Sequence, residues 1–348
     1  MTRIIFLLLA LLPSLAFADF RAGLTAYKHG DYAAAARIFN DLAEHGDSVA
    51  QFALGLLYDK GQGVPRDDAK ALAWYTKSAE GGYAKAQYNL ALMYEHGEGV
   101  KADPAQAREW FRKAVLGGNA GAMDHFRHIA EGGDVRAQYE LGVMVLNGDG
   151  VKRDVAEALT WFEKAAKAGD AKAQYNLGWM YDTGTGTPPD AAKAAEWYAK
   201  AAAQQHPLAN YNLGYLYQNG IGVPKDMAKA MAYYLAAAKA GNARAAFALG
   251  LAYATGTGVS KDEAQAFKWY AQAALADNLE AQVNVATAYA QGLGVDKDLV
   301  KAYAWYSRAK AQPLASANLN AISAQMDPAE IDQANTLAAT LLPANGAH

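Results

Sequence analysis

The chain has no cysteine, and this absence excludes several kinds of protein. Disulfides, thiol chemistry and a lipid attached to cysteine after export all require that residue. Proline is also scarce, with 10 in 348 residues, while alanine-rich stretches recur, which favours helix over sheet. The formal net charge is only −3 and no block of like charges occurs, so the clustered basic face of a nucleic-acid-binding protein is missing.

Long hydrophobic runs are also missing, apart from a short one at the N-terminus. Arg3 precedes an apolar run from Ile4 to Leu12 that is too short to span a bilayer comfortably. The small-residue pattern Ala16-Phe17-Ala18 then precedes Asp19, as at a signal-peptide cleavage site. The alternative is an uncleaved anchor or a buried N-terminal helix. We expect residues 1–18 to be a signal peptide and the mature chain to be periplasmic or secreted, without a membrane anchor.

An internal repeat organises the rest of the chain. Pairs of glycines separated by one residue recur at intervals of 36, 51, 36, 36, 36 and 36 residues. An aspartate follows each pair and gives the same series of intervals. Repeats of this length indicate a solenoid of helical pairs. The glycine pairs are Gly61/Gly63, Gly97/Gly99, Gly148/Gly150, Gly184/Gly186, Gly220/Gly222, Gly256/Gly258 and Gly292/Gly294, and the aspartates are Asp67, Asp103, Asp154, Asp190, Asp226, Asp262 and Asp298.

The first half of each repeat predicts a helix, which we call helix A. Ala173, Leu177 and Tyr181 lie four residues apart and form one apolar stripe. Gly178 leaves space where a neighbouring helix comes close. Gly184 ends the helix, because glycine adopts a positive φ without strain.

The second half predicts helix B, which begins at the repeated aspartate. We expect a complete capping box at three of these aspartates, Asp103, Asp154 and Asp262, because Gln106, Glu157 and Gln265 follow three residues later. An alanine stands four residues after each aspartate, and an aromatic pair such as Trp161-Phe162 stands seven and eight residues after it. One hairpin cannot bury those rings alone, so the repeats must stack.

These motifs resemble the Sel1-like repeat, a relative of the tetratricopeptide repeat. The resemblance rests on Ala-Gln-Tyr-Asn-Leu-Gly from residue 173, followed by Gly-x-Gly-Val, Asp, Lys-Ala and Trp-Tyr-x-Lys-Ala-Ala, and it covers residues 48–314. It implies an all-α, right-handed α/α superhelical solenoid. Residues 19–47 resemble a tetratricopeptide-like capping hairpin. The terminal segment, residues 315–348, is predicted to close the stack with a helix that begins at Asp327-Pro328 and has Glu330 as its third residue.

The single 51-residue interval predicts an irregularity. Residues 120–134 look like a helix A whose loop and helix B are missing, placed between repeats 1–2 (48–119) and repeats 3–7 (135–314). We expect a kink or a boundary there, and a simple deletion with little geometric effect is the alternative. His125 and His128 lie three residues apart in this segment, but a lone pair of histidines is a weak metal motif, and we predict no metal and no other cofactor.

Positions that repeat in every unit indicate packing, so we expect function where the units differ. Six of the seven tryptophans share one position of helix B, whereas Trp179 stands in helix A, where other repeats have Leu, Val, Tyr or Thr. If helices A line a concave groove, a partner-binding face would consist of Trp179, Tyr215, Tyr175, Tyr211, Lys172 and Asn219. Inter-repeat packing is the alternative role for these rings. The recurring asparagines Asn89, Asn176, Asn212 and Asn284 are interpreted as structural hydrogen-bonding groups, with binding of a ligand backbone as the alternative.

The sequence therefore predicts an exported scaffold that binds a protein or peptide partner through its groove and is not an enzyme. The resemblance implies a role in envelope signalling or in assembly related to exopolysaccharide export. Binding of a glycan or peptidoglycan fragment by the groove aromatics is the second hypothesis, and an enzyme is the third. The absence of cysteine argues against the disulfide-rich branch of the Sel1-like family linked to β-lactams.

Overall fold

A computed structural model describes residues 19–341, which form helices and short turns without any strand. The chain separates into two compact units on either side of the Trp161–Phe162 bond. The all-α fold class predicted from the repeat is confirmed. Within the described range, no helix is long and apolar enough to cross a membrane. The predicted signal peptide, residues 1–18, lies outside the described residues.

The first unit begins with two helices that precede the repeats and ends inside the ninth helix. Its helices are α1 (19–28), α2 (Tyr32–Glu44), α3 (Ser48–Lys60), α4 (Asp68–Glu80), α5 (Ala84–His96), α6 (Pro104–Leu116), α7 (Ala120–Glu131), α8 (Val135–Asn147) and the first part of α9 (Val155–Lys167). Helices A are α3, α5 and α8, and helices B are α4, α6 and α9.

The second unit continues the same alternation and ends with two helices beyond the last repeat. Its helices are α10 (Ala171–Thr183), α11 (Ala191–Ala203), α12 (Pro207–Asn219), α13 (Met227–Lys239), α14 (Ala243–Thr255), α15 (Glu263–Leu275), α16 (Leu279–Gln291), α17 (Leu299–Arg308), α18 (Pro313–Ser323) and α19 (Pro328–Thr340). Helices A are α10, α12, α14 and α16, and helices B are α11, α13, α15 and α17.

Helices A and B of one repeat interlock through a glycine and a tyrosine ring. A Cβ atom on Gly178 of α10 would lie 2.7 Å from Cδ1 of Tyr198 on α11, closer than real Cβ contacts. Tyr198 is fully buried, and the alanine at the repeated position of α11, Ala194, is buried beside it. The close approach predicted at Gly178 is confirmed, and the same contact recurs in other repeats. Burial of these rings contributes to the hydrophobic stabilisation of each hairpin.

The predicted helix ends are confirmed, but the predicted capping boxes are not formed as expected. Gly184 follows α10 with φ of 74°, and the aspartate before each helix B caps it, as when Asp103 accepts hydrogen bonds from the N–H of Ala105 and Gln106. The N–H of Asp103, which a capping box would use, donates instead to the carbonyl of Tyr94 at 2.8 Å. The loop before helix B therefore uses the backbone N–H group that a capping box would need.

The same replacement occurs at the other two positions. The N–H of Asp154 donates to the carbonyl of Val145, and that of Asp262 donates to the carbonyl of Tyr253. Glu157, the expected partner of Asp154, instead binds Arg127 and Trp161. A complete capping box does form at the start of α19, as predicted: the side chain of Asp327 accepts from the N–H of Glu330, and the side chain of Glu330 accepts from the N–H of Asp327.

In five of the seven repeats, a buried glutamine joins helix A to the preceding helix. Gln87 Nε2 donates to the carbonyl of Ala79 at 3.1 Å, and Gln174 Nε2 donates to that of Ala166 at 3.1 Å. The acceptors lie in the last turn of the preceding helix, where carbonyls have no partner within the helix. Helix-end carbonyls between repeats are thus satisfied by glutamine rather than by the recurring asparagines.

The lone helix α7 lies beside α5. The ring of His125 on α7 packs edge-on against Tyr88 of α5, with centroids 5.5 Å apart, and its Nδ1 lies 3.8 Å from a carboxylate oxygen of Glu95. The predicted single helix in this segment is therefore present, and it occupies the place that the next helix A would take. Whether it bends the stack stays a prediction.

As a consequence, α8 lies beside α6, in the place of a helix B. Arg108 near the start of α6 binds Asp134, the N-cap of α8, at 2.7 Å. Arg112, further along α6, lies 3.9 Å from Glu140, which is further along α8. The start of α6 contacts the start of α8, and a later part of α6 contacts a later part of α8, so the two helices run parallel. An A-type sequence thus enters the layer that B-type helices form in the first two repeats.

The start of α9 shows the complementary change, from the layer of helices B to the layer of helices A. Arg127 of α7 donates through Nη2 to Glu157 near the start of α9, at 3.2 Å. A helix with B-type sequence therefore begins beside α7, in the layer of α5. Within the first unit, the single added helix exchanges the layers of the two sequence types.

Candidate functional site

One position of helix A places large apolar side chains on the surface of the second unit. Trp179 of α10, Tyr215 of α12 and Leu251 of α14 occupy this position in successive repeats, and we call them the apolar row. Tyr215 is 48% exposed and Leu251 46% exposed, while Trp179 is half-buried. Helices hold these side chains at fixed intervals, so the row is preorganised for contact with another molecule.

Tyr175, predicted as part of the binding face, takes part mainly in packing between repeats. Its ring stacks on His206, the N-cap of α12, with centroids 4.7 Å apart and an interplanar angle of 20°. It also packs against Tyr198 of α11 at 5.8 Å. Burial raises the pKa of the Tyr175 hydroxyl. Burial, followed by the nearby charge of Lys172, lowers the pKa of His206.

The remaining predicted residues differ in their surroundings. Tyr211 is half-buried against Tyr234, with ring centroids 5.9 Å apart. Asn219 is exposed, and its Nδ2 donates to the carbonyl of Tyr215 at 2.9 Å, so it closes the last turn of α12. Lys172 is exposed at the start of α10. Of the predicted aromatic residues, Tyr215 is therefore the exposed one, while Trp179 is partly buried against the core.

Two of the recurring asparagines lie near tyrosine hydroxyls. The Tyr198 hydroxyl donates to Asp182 Oδ2 at 3.2 Å and the Tyr75 hydroxyl to Asp59 Oδ2 at 3.4 Å, and the nearby amides of Asn212 and Asn89 act to lower the pKa of these two hydroxyls. Burial is the main cause that raises the pKa of Tyr75 and Tyr198, and the asparagine contacts partly offset it. At these two positions the structural role interpreted from the sequence agrees with the contacts, because the amides tie helix A to a neighbouring ring.

Seven segments of the chain match the Sel1 repeat. They are residues 48–83, 84–119, 135–170, 171–206, 207–242, 243–278 and 279–313. The matches leave out residues 120–134, which contain α7. The chain belongs to the Sel1 repeat family.

Three solved structures are similar to this chain, and the first of them has the same fold. A Sel1 repeat protein from Oxalobacter formigenes is 31% identical, with 88% of this chain and 86% of that chain aligned and a TM-score of 0.55. A protective antigen, c5321, from uropathogenic Escherichia coli is 29% identical over 95% of this chain and 85% of that one, with a TM-score of 0.46. Immunity protein Pa5087 from Pseudomonas aeruginosa is 22% identical over 66% and 82%, with a TM-score of 0.34. No curated protein matches this chain.

The Sel1 repeats of this chain form a scaffold, and such repeats generally mediate protein–protein interaction. The repeat also shows what sequence reasoning missed. Leu251 belongs to the row that contains Trp179 and Tyr215, and its 36-residue spacing from Tyr215 was the available signal. His206 was not predicted either; it stands where Asn242 and Asn278 cap the following helices A.

The two histidines of the irregular segment have different surroundings. His125 is stacked on Phe111, with ring centroids 5.0 Å apart, and His128 is exposed. Between residues 19 and 341, no group of three or more His, Asp or Glu side chains is arranged to hold a metal ion.

Proposed function

We propose that this Sel1-repeat protein is an exported, non-catalytic scaffold that binds a protein partner on the apolar row of its second unit. The supporting observation is the exposure of Tyr215 and Leu251 at one repeated position, beside the half-buried ring of Trp179. Aromatic side chains held on a rigid surface are typical anchors of protein interfaces.

The proposal includes a location outside the cytoplasm. Its support is the pattern of residues 1–18, which has a basic residue, a short apolar run and a small-residue cleavage site. For the exported protein we propose a role in envelope signalling or in assembly related to exopolysaccharide export. Detection of the chain in a periplasmic or culture fraction, shortened by about 18 residues, supports export. An unprocessed chain found only in the cytoplasm contradicts it.

Affinity capture tests the binding face. The mature protein and a Trp179→Ala/Tyr215→Ala variant are immobilised and exposed to periplasmic extract. A Leu56→Ala/Leu92→Ala variant is the matched control, because these leucines hold the same repeat position in the first unit. We expect a specific protein to be retained by the wild type and the control, and to be lost from the Trp179/Tyr215 variant.

Two outcomes contradict this expectation in different ways. If all three proteins retain the same partner, binding lies on another face and the apolar row is not the site. If none retains a protein, the scaffold proposal is wrong. Quenching of Trp179 fluorescence by oligosaccharides then tests the glycan alternative, which the exposed rings of the row also favour.

A further inference from the structure

We propose that the second unit has a binding site for a small carboxylate that also carries a neutral N–H donor, such as an N-acylated amino acid or the last residue of a peptide. The site is a cavity of about 470 Å³ at the start of α12 and the second half of α13. This volume lies within the range of roughly 300–1,000 Å³ that is usual for small-molecule sites. None of the lining residues belongs to the apolar row, so this inference does not rest on the proposed function.

The cavity is open partly because Ala236 of α13 is shorter than its equivalents. Every other repeat has a long polar side chain at this position, namely Lys77, Lys113, Lys164, Lys200, Gln272 or Arg308. Gln272 shows what such a side chain does, since its Nε2 reaches the carbonyl of Ala238, near the end of the preceding helix B, at 2.6 Å. The methyl group of Ala236 cannot span that distance, and it lines the cavity instead.

The second shortened residue is Asn210 of α12, which is only 4% exposed. Five other repeats have glutamine at this position, and each glutamine donates to a carbonyl eight residues earlier. The asparagine lacks one methylene, and its Nδ2 donates to the carbonyl of His206 in its own helix, at 3.1 Å. Its Oδ1 accepts no hydrogen bond from any residue that the structure describes. Because Asn210 lines the cavity, this oxygen is an acceptor for a ligand.

The third feature is the strained backbone of Gln205, which has a φ of 62°. Asp277, at the equivalent position, also has a positive φ, and its side chain binds Arg308. Gln205 precedes Ala236 by the same 31 residues, so the side chain that would bind it is the shortened one. Strain of this kind in a residue other than glycine often marks a functional position. The equivalent turns elsewhere have glycine, at Gly46, Gly82, Gly118, Gly133, Gly169 and Gly241.

The polar groups around the cavity select the ligand. Within residues 19–341, no carboxylate pairs with the ammonium group of Lys239, so this lysine is available to an anion. A single cation suits the single charge of a carboxylate better than the nearly double charge of a phosphate. No acidic side chain lines the cavity, so Asn210 Oδ1 favours a neutral N–H over an ammonium group. Leu235 and three alanines form an apolar wall for the rest of the ligand.

Calorimetric titration of the full chain with acetyl-Ala-Leu tests the proposal. Acetyl-Ala-Leu-amide lacks the negative charge, and unacetylated Ala-Leu has an ammonium group in place of the first N–H. We expect each of these two to bind about tenfold more weakly than acetyl-Ala-Leu, because each loses or mispairs one polar contact. Equal affinity for the acid and the amide, or no saturable binding of acetyl-Ala-Leu, would overturn the proposal.

Two pairs of variants locate the binding. Ala236→Gln introduces the residue that the next repeat has there, and it should abolish binding by filling the cavity. Lys200→Gln, at the equivalent position of the preceding repeat, should leave the affinity unchanged. Lys239→Gln should weaken binding about tenfold, whereas Lys167→Gln, its equivalent two repeats earlier, should have no effect. Unchanged affinity in both Ala236→Gln and Lys239→Gln would show that the ligand binds elsewhere.

Gln205→Gly separates a binding role from a structural one. The variant introduces the residue of the other turns and removes the strain, so the urea midpoint should not fall. It also removes the amide at the cavity, so the affinity for acetyl-Ala-Leu should fall about threefold. A lower urea midpoint with unchanged affinity would contradict the binding role of Gln205.

A longer acetylated peptide that ends in Ala-Leu distinguishes the two sources of the ligand. If it binds about tenfold more tightly than acetyl-Ala-Leu, and only with a free terminal carboxylate, the site takes the C-terminus of a protein. Equal affinity for the long and the short peptide supports a free N-acylated amino acid or small peptide as the ligand.

Discussion

The uninterrupted repeats of the second unit and the repeat that begins with α8 in the first unit differ in the contact that the loop glycine makes. In the second unit, the loop glycine Gly222 packs on the carbonyl of Ala191, at the start of the preceding helix B. In the first unit, the equivalent glycine after α8, Gly150, packs on the carbonyl of Val115, near the end of α6. The glycine after α8 therefore contacts the end of a helix B, whereas Gly222 and also Gly99, which precedes the added helix, contact the start of one.

This difference shows that sequence type and position in the fold are separate properties. The α8 helix keeps the features of a helix A, including Gln138, which donates to the carbonyl of Ala130 on the preceding helix at 3.0 Å. It nevertheless lies beside α6, because α7 has taken the place next to α5. Local hydrogen bonds depend on the motif, whereas the choice of layer depends on the number of helices that precede it.

The largest expected effect comes from breaking the loop contact of the regular stack. In Gly222→Ala, the new Cβ atom would lie 2.3 Å from the carbonyl carbon of Ala191, and the residue has φ of 67°. We expect the free energy of unfolding of the second unit to fall by about 3 kcal/mol, as overpacking and backbone strain combine. Urea unfolding followed by circular dichroism measures this loss.

Gly241→Ala is the matched control for that substitution. Gly241 also has a positive φ, of 87°, but no atom lies within 4 Å of the Cβ position. Only the strain of the left-handed conformation remains, so a loss of about 1 kcal/mol is expected. Equal losses in the two variants would show that the loop contact does not stabilise the stack.

A smaller effect is expected at the contact between α6 and α8, which is particular to the first unit. Arg108→Ala removes the 2.7 Å ion pair with Asp134, in which the arginine side chain is 13% exposed. We expect a loss of about 1–2 kcal/mol, between the values for exposed and buried pairs. Urea unfolding, followed by a signal that reports on the first unit, measures the loss in the free energy of unfolding.

The control for this prediction lies on α8 itself. Arg136 is 64% exposed and pairs with Glu140 within the same helix, so Arg136→Ala should cost no more than about 0.5 kcal/mol. If the Arg108 variant is no less stable than the Arg136 variant, the parallel contact between α6 and α8 is not a stabilising one.

The smallest effect is a pH dependence confined to the second unit. The pKa of His206 is lowered from 6.5, chiefly by burial, so the unfolded chain binds a proton more readily than the folded one. The unfolding free energy should therefore decrease as pH falls through the region around and below 6.5. His206→Asn keeps a capping side chain, as at Asn242, and should flatten this dependence. An unchanged pH profile in the variant would assign the dependence to other groups.

Most of the fold was predictable because each repeated motif has one packing role. The 36-residue period, the glycine of helix A and the aspartate cap each correspond to one observed contact, and the helix over 120–131 was inferred from the odd interval alone. The layer exchange was not predicted, because α8 looks like any other helix A when its residues are read locally. The capping boxes at Asp103, Asp154 and Asp262 failed because the loop uses the backbone donor.

The binding surface was predictable only in part. Trp179 and Tyr215 stand out because other repeats have smaller or aliphatic residues there. The small cavities between helices of the second unit are each lined by side chains from three helices, so no single sequence position shows them. Met227 and Met231 differ from the equivalent residues of other repeats, but their joint position beside Leu251 appears only in the fold.

The lone helix α7 shows that the effect of an added segment depends on whether it contains an odd or an even number of helices. Insertion or loss of a complete hairpin, which has two helices, leaves every later helix in the layer that it occupied before. Insertion or loss of one helix exchanges the layers of the helices that directly follow it, as for α8 and the start of α9 within the first unit. Evolution or protein design can thus offer a different set of side chains to a ligand in one step, without any substitution in the later repeats.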